Sequence, residues 1–250
     1  MHASTLFRQL RQDLPKVGAK IPAALQTAWD NTGTFSVPDL STDPAEVAAA
    51  AVDALANGRD LDTDPALTQL ITRRALATLG VPALVERHTE TLRGDLIRQH
   101  ADAILAELTT AFDAAAADIE VARASISSLD LTTEGGVHGV ASEKMTTWGQ
   151  AYAAARRIEK IVLLWSLLGS FTHSVNIVIG YRALITSDLP ATDLAKLPGE
   201  RRELEPIYAG HPLSLASFDE YAERCARVRK EWDDQARRER EARKVPFRTR

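Results

Sequence analysis

Metal chemistry on a helix needs histidine and carboxylate side chains three or four positions apart, so that the ligands share one face. The six histidines of this chain do not meet that condition. His88 has Val85 and Leu92 at those distances, and His100 has Ile97 and Ile104. His138 follows Glu134 by four residues, but Gly135, Gly136 and Gly139 lie around it. A glycine-rich loop would lose much conformational entropy in closing on a metal, so a solvated turn is the plainer reading. The same loop precedes a helix start, where backbone N–H groups can hold a phosphate. It lacks both the Gly-Lys-Ser/Thr run and the preceding strand of a phosphate-binding loop. The glycines therefore read first as a chain reversal at a hairpin tip, and second as an exposed docking point.

Nucleophilic chemistry has no better foothold. There is no Gly-x-Ser-x-Gly, no Ser-x-x-Lys and no cysteine motif. Cys225 is the single cysteine, which fits a reducing compartment and reads as a free thiol on a polar helix. Carboxylates are many but scattered over amphipathic faces. The expectation is a protein without catalytic residues, metal or cofactor.

Two segments could act without turnover. The C-terminal one offers Arg224, Arg227, Lys230, Arg237, Arg238, Arg240, Arg243 and Lys244 as candidate partner contacts. Interleaved acids argue against dense phosphate binding, and Trp232 is the only aromatic there before Phe247, too few for a base-stacking platform. An acidic protein surface is the favoured partner and nucleic acid the less favoured one. The second segment, Ile161 to Tyr181, has no charged residue and has membrane-spanning length. Ser166, Ser170, Thr172, His173, Ser174 and Asn176 would make it costly to insert in hydrocarbon. Ile158, Ile161, Trp165, Leu168, Val175 and Ile179 accordingly read as hairpin core, with membrane contact as the alternative.

The elements that carry these residues follow from punctuation and periodicity. Asp43-Pro44 and Asp64-Pro65 each pair an acidic N-cap with proline at the first helical position, and the helices they open end at Gly58 and Gly80. Shorter helices are expected over Thr5–Leu14, stopped by Pro15, and over Pro22–Asp30. A long first arm is expected from Pro82 to Leu129, with its apolar seam at Leu108, Ala111, Ala115, Ile119, Ala122, Ile126 and Leu129. After the tip at 131–140, a second arm with Ser142 as N-cap carries a coiled-coil-like stripe at Ala151, Ala154, Ile158, Ile161, Trp165 and Leu168. Continued to Ser187, each arm would be roughly 70 Å long.

The expected organisation is thus an N-terminal short-helix region over 1–81 and a helical hairpin over 82–188. An irregular connector over 189–216 and a net basic C-terminal helix and tail over 217–250 follow it. The expected fold is all-α and elongated, an antiparallel hairpin with short helices before it and a charged helix after it.

Charge sharpens the functional expectation. The formal net charge is -4, yet Asp30 to Glu134 holds 18 acids against 7 Arg and no Lys, while Ala222 to Arg250 holds 11 bases against 6 acids. The N-terminus lacks the apolar run of a secretory signal, so the chain is expected to stay in the cytoplasm or enter a particle. An acidic body, a basic end and no chemical site suit a non-catalytic assembly or interaction protein that binds protein partners and forms homo-oligomers. A phage or prophage virion-assembly component fits that profile.

Overall fold

The protein is all-α: among the described residues there is no strand. The computed structural model describes residues 2–32, 39–173, 181–187, 205–208 and 210–243. The chain divides into two compact units, one of 2–4 and 23–97, the other of 5–22 and everything after 97.

Helix α1 spans Ala3–Val17 and α2 spans Ala23–Thr32. The expected stop at Pro15 is overturned, because α1 runs through that proline to Val17. Proline in a last turn removes only one helical hydrogen bond. The stop comes instead at Gly18, whose φ of +86° suits glycine, with Ala19 N–H donating to Leu14 O at 3.0 Å. Leu6, Phe7, Leu10, Leu14 and Val17, at helical spacing, are all buried.

In the smaller unit, α3 spans Pro44–Ala56 and α4 spans Pro65–Thr78. Asp43 accepts from Ala45 N–H and Asp64 from Leu67 N–H, as side-chain caps, each contributing about 1 kcal/mol. Gly58 and Gly80 then take the left-handed conformation that ends each helix. Asp64 is buried, and Arg59 donates to it at 2.6 Å while also reaching Asp53, so one guanidinium ties the α3–α4 turn together.

Helix α5 spans Val81–Gln99 and α6 spans Ala101–Ser125. The single long arm expected over 82–129 is therefore broken at His100, whose φ of -105° and ψ of 10° depart from helical values. The boundary between the two units falls between Ile97 and Arg98. Ile97 and Ala101 are both buried, each in its own unit. The apolar spacing continues across a one-residue break, which explains why the sequence pattern does not register it.

Helix α7 spans Met145–Thr172 and is preceded by two 3₁₀ turns, Glu134–Gly139 and Ser142–Lys144. Ser142 thus opens a 3₁₀ turn and makes no side-chain cap bond. At 1.5 Å per residue α6 and α7 are about 38 and 42 Å long, well short of the expected arms. They pack on one another. Arg157 donates to Asp118 at 2.6 Å, and Lys144 Nζ donates to the carbonyl of Ser125 at the α6 C-terminus. The seam residues Leu108, Phe112, Ala115, Ile119, Ala122, Ala151, Ala154, Ile158, Ile161, Trp165 and Leu168 are essentially inaccessible. Four of these eleven are alanine, which lets two helices approach closely without voids.

The described residues of the larger unit hold three more helices: α8 at Tyr181–Ile185, α9 at Glu205–Tyr208 and α10 at Phe218–Arg243. Ser217 and Glu220 form a reciprocal capping box at the start of α10, with bonds of 3.2 and 2.8 Å. Residues 189–204 and 209 of the expected connector lie outside the described residues. Trp165 anchors the junction. Its indole N–H donates to Ala216 O at 2.9 Å, and its ring lies 4.9 Å from Phe218 and 5.2 Å from Tyr221. Gly169, one turn on, leaves room for Phe218, since a Cβ there would stand 2.9 Å from the phenyl ring.

Candidate interaction surface

The start of the expected hairpin tip is held from α7, while Thr133, Glu134, Gly135, His138 and Gly139 are exposed. Trp148 donates its indole N–H to Asp130 O at 2.9 Å, and Arg156 donates to Thr132 O at 3.0 Å. Trp148 stacks on Tyr152 at 5.1 Å, and the Arg156 guanidinium sits 4.8 Å over the Tyr152 ring. One face of α7 thereby becomes a ladder that grips the loop. Asp130 is held below the usual carboxylate range by its hydrogen bonds from Thr132. Gly136 fits directly under the Asp130 carbonyl, where any Cβ would overlap the oxygen. Gly135 and Gly139 meet no such obstacle, and His138 and Gly139 are exposed. Among the described residues no group of three or more His, Cys, Asp or Glu side chains could hold a metal ion.

Beside this loop lies a groove of about 340 Å³ lined by Arg123, Ser127, Ser128, Leu131, Ile207 and Gly210. Arg123 pairs with Glu120 and donates to Ile207 O and to His211 O. Its guanidinium thus ties α6 to the α9 segment and is already engaged as a donor. The groove offers no arrangement of acid, base and nucleophile.

The basic residues proposed from sequence fall into three groups. Arg224 is only 8% exposed and donates to Ala183 O, Leu184 O and Ser214 O at 3.0–3.3 Å, so it is an internal tie rather than a surface contact. Its guanidinium fork matches converging carbonyls, which a sequence cannot show because they come from distant segments. Arg227 is exposed and donates to Ser187 O. Lys230, Arg237, Arg238 and Arg240 are exposed on the outer part of α10, with Arg237 paired to Asp234 at 2.8 Å. The backbone of Arg243 closes the helix, and Lys244 lies outside the described residues. Cys225 is buried beside these, and burial pushes its thiol up, against the opposing influence of Tyr221 and Arg229, which makes it a poor nucleophile.

Ile158, Ile161, Trp165 and Leu168 are core residues of the α6–α7 pair, whereas Val175 and Ile179 lie outside the described residues. Among the described residues no helix is long and apolar enough to cross a membrane.

The surface that the sequence reading missed is in the smaller unit. Seven of the eleven large apolar side chains left exposed among the described residues fall between Val52 and Leu84. Helix α3 buries Ala54 and turns Val52 and Leu55 outward, 66% and 62% exposed. Helix α4 buries only its first turn, at Leu67; every residue from Ile71 to Leu79 is exposed. Ile71, Ala75 and Leu79 form a stripe at four-residue spacing along that free half. Leu79 is 71% exposed. Positions 39–64 hold seven Asp or Glu against Arg59 alone, whereas the charged residues within Ile71–Leu79 are the exposed Arg73 and Arg74. Leu67, Ile71, Ala75 and Leu79 continue one four-residue series, so the sequence pattern does not separate its buried start from its exposed end.

Comparison with protein-family models, curated proteins and solved structures finds no match.

Proposed function

We propose that this chain is a non-catalytic helical assembly protein that works by binding other protein, with the α3–α4 face as its contact surface. The observation that carries this reading is the half of α4 from Ile71 to Leu79, exposed all round. A helix of this length gains little from its own hydrogen bonds in water and depends on packing for stability. Clustered exposed apolar side chains with a charged surround are the usual mark of a protein contact. Helices α6 and α7, read as an antiparallel helical hairpin, supply the stiff element that an assembly role needs. A virion-assembly component of a phage or prophage remains the biological setting that the charge distribution suggests.

The test is site-directed photo-cross-linking in cells that make the protein. A photoreactive residue at Ile71 or Leu79 is expected to give protein adducts, and one at Val121, an exposed apolar position of α6, is expected to give few. Equal yields at all three positions, or none at any, would overturn the assignment of this face.

A further inference from the structure

No residue between Leu67 and Gly94 is buried. The outer half of α4, the turn at Gly80 and the first half of α5 therefore form an arm that is helical without a core of its own. Both ends of the arm are fastened within the smaller unit. At one end, buried Asp64 pairs with Arg59 and caps the Leu67 N–H. At the other, Glu90 accepts from the N–H and Oγ of Ser4. Arg93 donates to Ser4 Oγ at 3.0 Å, with its guanidinium 5.0 Å over the Trp29 ring. Between the two ends Gly80 turns the chain with a φ of +70°, and a Cβ there would meet nothing within 4 Å.

Helical hydrogen bonds alone do not hold such an arm. An isolated helix shorter than about 12–15 residues is marginal in water, and each uncovered stretch, 68–78 and 81–89, falls below that length. The fastened ends act as nuclei, so melting starts at the shared turn and runs toward Leu67 and Glu90. The two limbs differ in cover. Residues 71–79 are exposed throughout, whereas Val81, Val85 and Thr89, on one face of α5, are half-buried.

We infer that residues 68–89 are a conditional arm, which opens from helix to coil at the Gly80 turn while the rest of the chain stays folded. Opening of this kind belongs to the low-stability end of a folded protein and needs no occupant on the exposed face. For the contact proposed above it adds a control. The stripe of Ile71, Ala75 and Leu79 exists only while the arm is helical, so whatever stabilises the helix raises the fraction of chains able to make the contact.

Amide hydrogen exchange of the full-length protein, read by nuclear magnetic resonance at neutral pH, tests the opening. Amides of 71–79 are expected to be protected about 100-fold at most, against about 10³–10⁸-fold for the buried seams of α6 and α7. Protection should rise from 71–79 through 81–89 to Ile97. Ala75→Gly, at an exposed position, should lower the protection of 71–79 about fourfold and leave the urea midpoint of the whole chain unchanged. Thr72→Ala should raise that protection about twofold, again with no change in midpoint. Ala115→Gly, in the buried seam of α6, should lower the midpoint.

Protection of 71–79 equal to that of the seams would overturn the conditional arm. An Ala75→Gly variant whose urea midpoint falls as far as that of Ala115→Gly would overturn it too. Cross-linking from Ile71 and Leu79 reads the contact separately: adducts from a fully protected arm would keep the contact surface and sink the opening, and an open arm without adducts would do the reverse.

Discussion

Replacing Arg224 by methionine separates an internal tie from a partner contact. Arg224 donates Nη1 to three carbonyls and Nη2 to Ser214 Oγ at 3.2 Å, almost out of contact with solvent. Methionine keeps much of the side-chain volume and supplies no donor. Leu184 O still accepts from Ala216 N–H at 2.9 Å, so the carbonyls of Ala183 and Ser214 are the two that depend most on the guanidinium. A buried acceptor that loses its donor costs about 1–3 kcal/mol, which sets the gross loss at about 2–6 kcal/mol. Relief of the guanidinium's own desolvation offsets part of it, leaving an expected net loss of about 2–4 kcal/mol. Arg224→Lys should fall between, because one ammonium cannot span the same acceptors. The assay is urea unfolding followed by far-ultraviolet circular dichroism and tryptophan fluorescence, with Arg227→Met as control. Arg227 is exposed and donates to one backbone carbonyl, so its loss should cost less than about 1 kcal/mol. Equal midpoints for the two methionine variants, with association weakened only in Arg224→Met, would refute the tie and restore Arg224 to the surface.

The tip glycines make a graded test. Gly136→Ala must displace the Asp130 carbonyl that Trp148 holds and should cost about 1–3 kcal/mol, whereas Gly139→Ala, which meets nothing within 4 Å, should stay within about 0.5 kcal/mol by thermal unfolding. Acid should release the N-terminus of α1. Burial pushes the Glu90 carboxyl up, but hydrogen bonds from Ser4, with Arg93 and His2 nearby, outweigh it and leave the folded-state pKa depressed. The stability it contributes is present above the unfolded value of about 4.3 and is lost as pH falls through the lower folded value. Ser4 amide protection, measured by nuclear magnetic resonance, should therefore decline below about pH 4.3, and a Glu90→Gln variant that kept the same decline would disprove the linkage.

The parts of the fold legible in sequence are those governed by neighbours along the chain. Asp43 and Asp64 cap α3 and α4 because an acidic residue before proline satisfies orphan N–H groups wherever it occurs. The seams of α6 and α7 are buried at the expected positions because helical spacing alone puts them on one face. Tertiary partners are what sequence cannot rank. Arg224 and Arg238 look alike in the chain; one meets carbonyls from two distant segments and the other remains exposed on α10. Pro15 looked like a stop because its effect was read without Gly18, three residues later, which supplies the actual closure. The α3–α4 face escaped notice for a related reason. Apolar residues are expected inside, and only the three-dimensional structure shows that no described residue covers Ile71 and Leu79.

That exposure gives α4 an unusual latitude. Substitutions from Ile71 to Leu79 touch no core contact, so stability places almost no constraint on them beyond helix propensity. A lineage could rewrite the chemistry of this half-helix, exchanging one partner for another, while α6, α7 and α10 stay as they are. The scaffold and its specificity are thus separable under selection, and sequence divergence among descendants should concentrate in α4 long before it reaches Trp165.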